Sequence, residues 1–418
     1  MQRVYLCIDL KSFFASVECS VRKLDPFKVN LVVADPTRGQ GALCLAITPK
    51  MKALGIKNRC RLFEIPKQVT YITAMPRMRL YMEYAAMIYG IYLKFVASSD
   101  IHIYSIDEAF LDITPYLNYY KMKPLAIAEM IIDEIYAKTH ITATVGIGTN
   151  LYLAKIALDI IAKHSKDNIG ILNESMYQKY LWHYHPITDF WHIGKGIANR
   201  LLKYQIDDMY GIAHHRQDEL YQEFGINAEY LIDHAWGKEP TTIAEIKQYQ
   251  PKHNSLSNSQ ILFEDYDYQS ALLVLKEMVE LNVLRLIKKQ LVTDVIYLSV
   301  GYSKNIIPGT RGQRKLTVRT NSLKILMNEF IELFTLKTNK QYPIRQIGIT
   351  FGDVVNEIYE SYDLFTDIEE INEERNLELA IIKIKEKYGK NAIFKGMNKL
   401  DKATTLKRNT LIGGHNEK

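Results

Sequence analysis

The sequence contains few cysteines, no long apolar run and only a small excess of positive charge. Its four cysteines, Cys7, Cys19, Cys44 and Cys60, all lie within the first 60 residues and form no CxxC pair. Neither a zinc centre nor a disulfide framework is therefore predicted, and reduced thiols are expected. No stretch approaches the roughly 18 uninterrupted apolar residues of a membrane span, and no signal-peptide cleavage pattern follows the amino terminus. We expect a cytoplasmic protein without a membrane partner.

The length predicts more than one domain, and the charge is unevenly distributed. A chain of 418 residues corresponds to two to four domains of roughly 100 to 200 residues each. The formal net charge of +6 permits an anionic partner without requiring one. Residues 285–345, however, carry twelve Lys or Arg against three acids, whereas 356–380 carry nine acids and one Arg. A basic domain followed by an acidic tail is therefore expected.

The hydrophobic pattern predicts an α/β multi-domain protein. Residues 3–9 are β-rich and are followed by apolar residues at helical spacing, so a strand, a turn and a helix are expected. Two later strand patterns, at 104–113 and 142–148, are bracketed by helices and should join the first strand in one sheet. The segment 254–355 is predicted to be a separate βαββαβ domain.

Two adjacent acids stand in the apolar stretch YSIDEAFLDI at 104–113. A buried carboxylate is costly unless it is paired or binds a metal, so Asp107 and Glu108 need a cation if they are buried. Asp9, at the end of the first strand, would lie beside them on the predicted sheet. Carboxylates that converge from separate segments suit a site for two Mg²⁺ ions. The alternative is a tight turn with solvated acids.

Three motifs in order resemble the Y-family translesion DNA polymerases. They are IDLKSFFASVE at 8–18, YSIDEAFLDI at 104–113 and TVGIGTNLYLAKIA at 144–157. The likeness continues to about residue 355 and is closest to the polymerase V catalytic-subunit branch, with the UV-damage-repair proteins of Gram-positive bacteria and their mobile elements. It implies a right-hand-like fold with a palm (1–18 and 76–172), small fingers (19–75), a helical thumb (173–245), a βαββαβ little finger (254–355) and a tail (356–418).

The resemblance implies that Asp9, Asp107 and Glu108 are the catalytic, metal-binding acids. The main-chain carbonyl of Leu10 matches an additional metal ligand, and two Mg²⁺ ions are the expected cofactors. Lys11 departs from the acid or amide often found at its position. Because that position is not one of the three essential carboxylates, the predicted site is unaffected.

The resemblance also implies residues that bind the incoming dNTP. Phe14 matches the steric gate, an aromatic ring that excludes a ribose 2′-OH, and Phe13 beside it either belongs to the same nucleotide site or packs in the core. Lys52, on the predicted fingers helix, matches a triphosphate-binding cation. Lys163 matches a palm lysine with the same role, but the preceding helix is one residue longer than the family pattern, so Lys166 is an alternative.

Primer-template DNA is the expected partner of the thumb and little finger. In the thumb, Gly194, Lys195 and Gly196 resemble a helix-hairpin-helix turn whose main-chain N–H groups approach a phosphate. In the little finger, strand alternation places the side chains of Lys315, Thr317 and Arg319 on one face. The alternatives are a plain helix connection and a solvated sheet face.

The segment SYDLF at 361–365 resembles a degenerate sliding-clamp peptide, with Leu364 and Phe365 as its apolar anchors. The resemblance also suggests an accessory subunit or a recombinase filament as a partner. It gives no role for residues 380–418.

The function implied is template-directed, low-fidelity translesion synthesis in DNA repair and SOS mutagenesis. Two alternatives remain, a non-catalytic DNA-binding protein that retains the fold and a nucleotidyl cyclase with a similar palm. The three acids argue against the former, and the basic βαββαβ domain and helical thumb argue against the latter.

Overall fold

A computed structural model describes residues 3–252, 254–304, 306–364 and 367–418, and the chain divides into two compact units. The first comprises Met1–Tyr249 with His415–Lys418, and the second comprises Gln250–Gly414. Among the described residues, none of the helices has both the length and the apolar character that crossing a lipid bilayer requires.

The first unit contains a central sheet, a small second sheet and many short helices. Its strands are β1 Tyr5–Leu10, β2 Leu31–Val33, β3 Ala46–Ile47, β4 Ile72–Ala74, β5 Ile101–Ile103, β6 Glu108–Asp112, β7 Ala143–Gly148 and β8 Ile169–Leu172. Its α-helices are α1 Phe13–Val21, α2 Pro49–Ala53, α3 Met78–Phe95, α4 Tyr116–Tyr120, α5 Pro124–Thr139, α6 Leu151–Ile156, α7 Glu174–Leu181, α8 Lys195–Leu201, α9 Met209–His214, α10 Gln217–Phe224, α11 Asn227–Ala235 and α12 Ile243–Gln248.

The predicted sheet of this unit is confirmed, with the strand order β5-β6-β1-β7-β8. The strand β1 lies at its centre and pairs antiparallel with both β6 and β7. Alternate residues of β1 enter different cores: Leu6 and Ile8 pack with α1 and α3, whereas Tyr5 and Cys7 pack with α6. Since side chains alternate along a strand, Asp9 shares the face that α6 covers.

Glycines in β7 allow α6 to lie directly on the sheet. A Cβ at Gly146 or Gly148 would overlap the main chain of Ala154 in α6. The helix continues into a π-helical turn, Ala157–Ile161, and a 3₁₀ turn, Ala162–His164. The glycines thus set how closely the charged residues of this helix approach β1.

Two further apolar clusters lie in the first unit. One surrounds the small sheet β3-β2-β4 and draws its buried residues from positions 32–65. The other joins α6 to the short helices that follow, with buried residues between positions 152 and 235. Each cluster is a separate core, because its members pack mainly with one another.

The second unit is built on one antiparallel sheet. Its strands are β9 Leu256–Tyr266, β10 Leu291–Tyr302, β11 Thr310–Thr320, β12 Ile344–Gly352, β13 Val355–Asn356 and β14 Leu411–Ile412, and its helices are α13 Tyr268–Lys288, α14 Leu323–Lys337, α15 Ile368–Tyr388 and α16 Thr405–Arg408. The chain order β9-α13-β10-β11-α14-β12 is the expected βαββαβ, and the main sheet order is β11-β10-β12-β9. A last short strand, β15 His415–Asn416, belongs to the first unit.

The described residues of the expected acidic tail fold against the second unit. The helix α15 buries Ile371, Ile381 and Ile382, two of which join the core that contains α13. Beyond it, Glu277 of α13 is 1% exposed and accepts hydrogen bonds from the main-chain N–H groups of Thr404 and Thr405 at 2.7 and 3.2 Å. A buried carboxylate with such donors fixes the carboxy-terminal segment to the unit. The many surface acids of α15 hide its narrow apolar stripe in the sequence.

Candidate active site

The structure brings the three predicted acids together at the ends of β1 and β6. Asp9 lies directly opposite Glu108 in the antiparallel pair. The N–H of Leu10 donates to the main-chain oxygen of Asp107 at 2.9 Å, so the main chain of Leu10 lies against the Asp107 turn. Asp107 is partly buried and accepts a hydrogen bond from Ser105 Oγ at 2.7 Å. The pairing register therefore places Asp9 and Glu108 side by side on the α6-covered face, and Asp107 lies in the adjoining turn.

Two lysines from the helical segment after β7 approach these acids. Lys155 Nζ lies 2.7 Å from Glu108 Oε1, and both side chains are more than 90% buried. Lys163 Nζ lies 4.0 Å from Asp9 Oδ2. The Sγ of Cys7 donates to Glu108 Oε1 at 3.2 Å. Glu108 is thus a buried charge with a close counter-ion, which answers why the sequence tolerates an acid in this apolar run.

The pKa values of the site show that its carboxylates are crowded. Burial raises the pKa of Asp9 to about 6, and the nearby charges of Asp107 and Glu108 act in the same direction against the opposing effect of Lys163. For Lys163, burial would lower the pKa, but Asp9 and Asp159 outweigh it and raise the pKa. The raised pKa of Asp9 is therefore mainly an effect of burial, to which the neighbouring carboxylates add.

The π-helical turn helps to decide whether Lys163 or Lys166 is the predicted palm lysine. A single π turn accommodates one extra residue within a helix. It therefore accounts for a helix that is one residue longer than the family pattern. With the turn at Ala157–Ile161, Lys163 Nζ lies 4.0 Å from Asp9 Oδ2, and no ion pair of Lys166 with the acids is found among the described residues. The geometry favours Lys163.

The two phenylalanines of the first motif have different surroundings. Phe13 is 2% exposed and packs in the core, which favours the core-packing alternative for this residue. Phe14 is partly buried, and its ring stacks on Tyr81 with centroids 4.5 Å apart and planes 16° apart. The Tyr81 hydroxyl donates to the fully buried carboxylate of Glu18 at 2.8 Å, and Arg77 also binds that carboxylate. The ring of Phe14 is therefore supported from behind by an anchored tyrosine.

Two further cations surround the acids. Burial lowers the pKa of Lys52, on α2, and this pKa also responds to Asp9, Lys163 and Lys11. Burial likewise lowers the pKa of Lys11, which Asp9 partly counteracts, and Lys11 Nζ donates to Asn168. Lys11 is thus held away from the acids by a neutral partner, so its departure from the family pattern does not add a direct counter-ion to the site.

The donors at this site suit two hard divalent cations. Three carboxylates and the Leu10 carbonyl supply only oxygen ligands, which Mg²⁺ prefers. Burial and the neighbouring carboxylates raise the pKa of Asp9, and added positive charge opposes that effect. In the described structure Lys155 pairs with Glu108, and Lys163 lies 4.0 Å from Asp9.

The ligand atoms of a second group of residues also lie close enough together to hold a metal ion. The ligand atoms of His185, Asp207 and Asp208 all lie within 4.8 Å of one another, the one such group found among the described residues. Asp208, however, already accepts from the N–H of Gly211 at 2.7 Å and contacts His183 Nδ1 at 2.7 Å. This group was not predicted from the sequence, and capping of α9 accounts for Asp208.

The predicted thumb turn lies at the start of α8. Gly194 is the N-cap residue, and Lys195 and Gly196 form the first turn. A Cβ added at either glycine would meet no atom within 4 Å, and neither glycine has a positive φ. Packing and backbone strain therefore do not explain the two glycines, which leaves close approach of a ligand as a reason for them.

On β11 of the second unit, the predicted basic face has a different membership from the one expected. Lys315 and Thr317 are exposed, but Arg319 is held by Asp294, with Nη2 2.6 Å from Oδ2. Arg311 is exposed, pairs with Ser299 in register and has the same strand parity as Lys315. Arg314 has the opposite parity and binds Glu329 and Glu332 of α14, each at 2.7 Å. The free cations of this face are thus Arg311 and Lys315.

The predicted clamp peptide starts beside the same strand. Ser361 and Arg319 are joined by main-chain contacts, with Ser361 N 2.9 Å from Arg319 O. Leu364 is fully exposed. Phe365 lies outside the described residues, so the clamp-binding segment stays a prediction.

Comparison with known proteins identifies the family. Residues 8–159 match the model of the impB/mucB/samB family, and residues 253–364 match the model of its C-terminal domain. The fold is that of the Y-family polymerases: a chimera of the Y-family DNA polymerases Dbh and Dpo4 superposes with a TM-score of 0.66 at 22% identity, covering 84% of this chain and 99% of that chain.

Relatives along the whole chain agree. UvrX of Bacillus subtilis, whose name refers to UV-damage repair, is 30% identical over 98% of this chain and 97% of its own. A protein named DNA polymerase IV 2 from the same organism is 26% identical over 99% of both chains. The chain therefore belongs to the impB/mucB/samB family, the Y family of DNA polymerases, and it is homologous to DNA polymerase IV enzymes.

The sequence reasoning missed Lys155, Asp159, Tyr81 and Arg311. The first two had a visible signal, because Lys155, Asp159 and Lys163 place a charge at every fourth position of an otherwise apolar segment, KIALDIIAK. Tyr81 had no signal in the sequence, because its contact with Phe14 joins segments 67 positions apart and depends on how α3 packs on α1. Arg311 lies on the same strand parity as Lys315, and extending the alternation by two more steps would have found it.

Replacing Asp9 with Asn should stabilise the metal-free protein at neutral pH. The pKa of Asp9 is higher in the folded state than its usual 3.8, so the folded state binds more protons between about pH 4 and 6, and stability falls as pH rises through that window. Asp9→Asn should therefore be more stable by about 1 to 3 kcal/mol at pH 7 in EDTA, with little difference near pH 4. Urea unfolding at both pH values measures this. Glu134→Gln, which removes an exposed pair with Lys94, should show no such gain. Equal stabilities of wild type and Asp9→Asn at pH 7 would contradict the proposed crowding.

Proposed function

We propose that this protein is a template-directed DNA polymerase of the translesion type, which adds dNTPs to a primer 3′-OH with low fidelity during DNA repair and SOS mutagenesis. The observation that carries the proposal is the convergence of Asp9, Asp107 and Glu108 in a member of this polymerase family. A non-catalytic DNA-binding protein would have no need for three neighbouring carboxylates, two of which, Asp9 and Glu108, are largely withdrawn from water.

In this proposal the palm residues prepare the reacting groups. Asp9, Asp107, Glu108 and the Leu10 carbonyl would hold two Mg²⁺ ions, which when bound would activate the primer hydroxyl and offset charge on the leaving pyrophosphate. Lys163, at 4.0 Å from Asp9 Oδ2, would bind phosphate oxygens of the incoming nucleotide. Lys155 has a different role, since it neutralises Glu108 inside the protein.

The sugar and the triphosphate would be selected by the residues around α1 and α2. Phe14, backed by Tyr81, would fill the space beside C2′ of the deoxyribose. Lys52 would supply a second cation for the triphosphate, and the lowered pKa that burial gives it is offset once phosphates are near. Phe13 is left out of this site because it is buried in the core.

The domain assignment is also a proposal. We assign a palm at 1–18 and 76–172, fingers at 19–75, a thumb at 173–245 and a little finger at 254–355. The small core at positions 32–65 and the separate unit that begins at Gln250 support the fingers and the little finger, whereas the other apolar clusters cross the proposed boundaries. The turn at Gly194–Gly196 and the outer face of β11 would contact DNA phosphates, which position a duplex without reading its sequence.

Translesion synthesis rather than accurate replication is supported by the small fingers core, which draws on residues 32–65 and leaves little protein to enclose a base pair. The names of two relatives, one for UV-damage repair and one for DNA polymerase IV, agree with this role. An accessory subunit, a recombinase filament and the sliding clamp stay proposed partners.

Primer extension tests the proposal. Wild type with Mg²⁺, a primer-template and four dNTPs should extend the primer, whereas Asp107→Ala and Glu108→Ala should lose activity by more than about 100-fold while still binding DNA. The matched control is Glu134→Gln on the palm surface, which should extend like wild type. DNA binding without extension by the wild type would favour the non-catalytic alternative, and a palm variant within about tenfold of wild type would refute the metal assignment.

Phe14→Ala should admit ribonucleotides. Removing the ring opens space at C2′ while Tyr81 and the acids stay in place, so the preference for dNTP over rNTP in kcat/KM should fall by at least about tenfold, or about 1.4 kcal/mol. Single-nucleotide incorporation measures the preference. Phe13→Leu, a core change on the same helix, should leave it unaltered. An unchanged preference in Phe14→Ala would show that this ring only packs.

The outer face of β11 predicts a salt effect. Removing both Arg311 and Lys315 should weaken primer-template binding on every sequence and reduce the slope of log affinity against log salt by about 1.8, since each phosphate contact contributes about 0.9. Arg314→Ala is the control, because this side chain is committed to Glu329 and Glu332. Parallel salt plots for wild type and the Arg311 and Lys315 double variant would mean that this face does not meet DNA.

A further inference from the structure

The helical segment after β7 carries charged residues at positions 155, 159 and 163. In a regular α-helix, residues eight apart differ in direction by about 80° around the axis. This segment departs from that regular geometry, because Asp159 lies in the π turn Ala157–Ile161 and Lys163 lies in the 3₁₀ turn Ala162–His164. Lys155 and Lys163 both approach the acids at the ends of β1 and β6.

Asp159 contacts both lysines at once. Its Oδ1 lies 2.7 Å from Lys163 Nζ, and its Oδ2 lies 3.0 Å from Lys155 Nζ. Lys155 also binds Glu108 at 2.7 Å, and Lys163 lies 4.0 Å from Asp9. The five groups form a line of alternating charge in the order Glu108, Lys155, Asp159, Lys163 and Asp9.

The two ends of this line are not equivalent. Lys155 makes close contacts with both Glu108 and Asp159. Lys163 donates a hydrogen bond to Asp159, but its distance of 4.0 Å from Asp9 is too long for a hydrogen bond. An ammonium group next to a partly buried carboxylate is attracted to it, so a competing carboxylate is needed to hold Lys163 back. Asp159 is placed to do this.

We propose that Asp159 is a positioning residue that keeps the Lys163 ammonium beside Asp9 instead of on it. In that position Lys163 stays available to the triphosphate of an incoming nucleotide, and the Asp9 carboxylate stays open to a metal ion. The inference rests on the proposed function, because it assigns Lys163 to the nucleotide. Without the negative charge at position 159, Lys163 closes on Asp9 and is lost to the phosphates.

The affinity for the incoming nucleotide tests this without chemistry. A primer-template with a 3′-dideoxy terminus, the correct dNTP and Ca²⁺ form a complex that cannot react, and the dNTP concentration that stabilises it on the DNA gives Kd. Asp159→Asn keeps the shape of the side chain and removes its charge. We expect it to raise Kd about tenfold, as should Lys163→Ala.

The double variant separates positioning from a structural role. If Asp159 acts through Lys163, Asp159→Asn adds little to Lys163→Ala, and the double variant has a Kd within about twofold of Lys163→Ala alone. Asp159→Glu, which restores the charge, should recover part of the affinity. Glu134→Gln is the control for loss of an acid paired with lysine on another palm helix and should bind like wild type.

The outcomes are distinguishable. A Kd for Asp159→Asn equal to that of wild type, or a full tenfold added loss in the Lys163→Ala background, overturns the positioning role while leaving the polymerase proposal intact. A wild-type complex that gains nothing from the correct dNTP overturns the proposed function itself. If Asp159→Asn does not fold, as judged by its thermal midpoint, Asp159→Ala replaces it as the variant without the charge, and Asp159→Glu remains the variant that keeps it.

Discussion

The structure of the first unit depends on a strand register that places carboxylates side by side where water is largely excluded. Antiparallel pairing of β1 with β6 sets Asp9 opposite Glu108, and the Asp107 turn closes against Leu10. Neither strand can slip to relieve this, because a shift by one residue would turn every buried side chain to the wrong face. Lysines on the helical segment that covers the same face lie close to these acids, and burial nevertheless raises the pKa of Asp9.

That compensation requires close approach of helix and sheet. Gly146 and Gly148 remove the side chains that would separate β7 from α6, and the π turn then rotates Lys163 toward Asp9. On the other side of β1, Phe14 is held against Tyr81, whose hydroxyl is fixed by the buried Glu18. The apolar core thus sets the positions of the charged side chains. A bound cation or phosphate would then balance their charges.

Much of this could be predicted from local pattern. Strand alternation and the spacing of turn residues gave the palm-like sheet and the βαββαβ unit, and three short motifs gave the acids and Phe14. The exceptions have physical reasons. The π turn leaves no periodic signal. The pairing of Arg319 with Asp294 lies where the register between β10 and β11 shifts, and the contact between Phe14 and Tyr81 is made only in the folded chain. The position of the carboxy-terminal segment could not be predicted, because it depends on hydrogen bonds to one buried glutamate, Glu277.

The central claim is that the palm acids form a metal site in this chain. Anomalous scattering from crystals grown with a primer-template, a dNTP and Mn²⁺ measures ion positions directly. The account predicts Mn²⁺ between Asp9, Asp107 and Glu108, with Lys163 turned to the triphosphate. Mn²⁺ bound only at His185, Asp207 and Asp208, with the palm acids still held by Lys155 and Lys163, would contradict it.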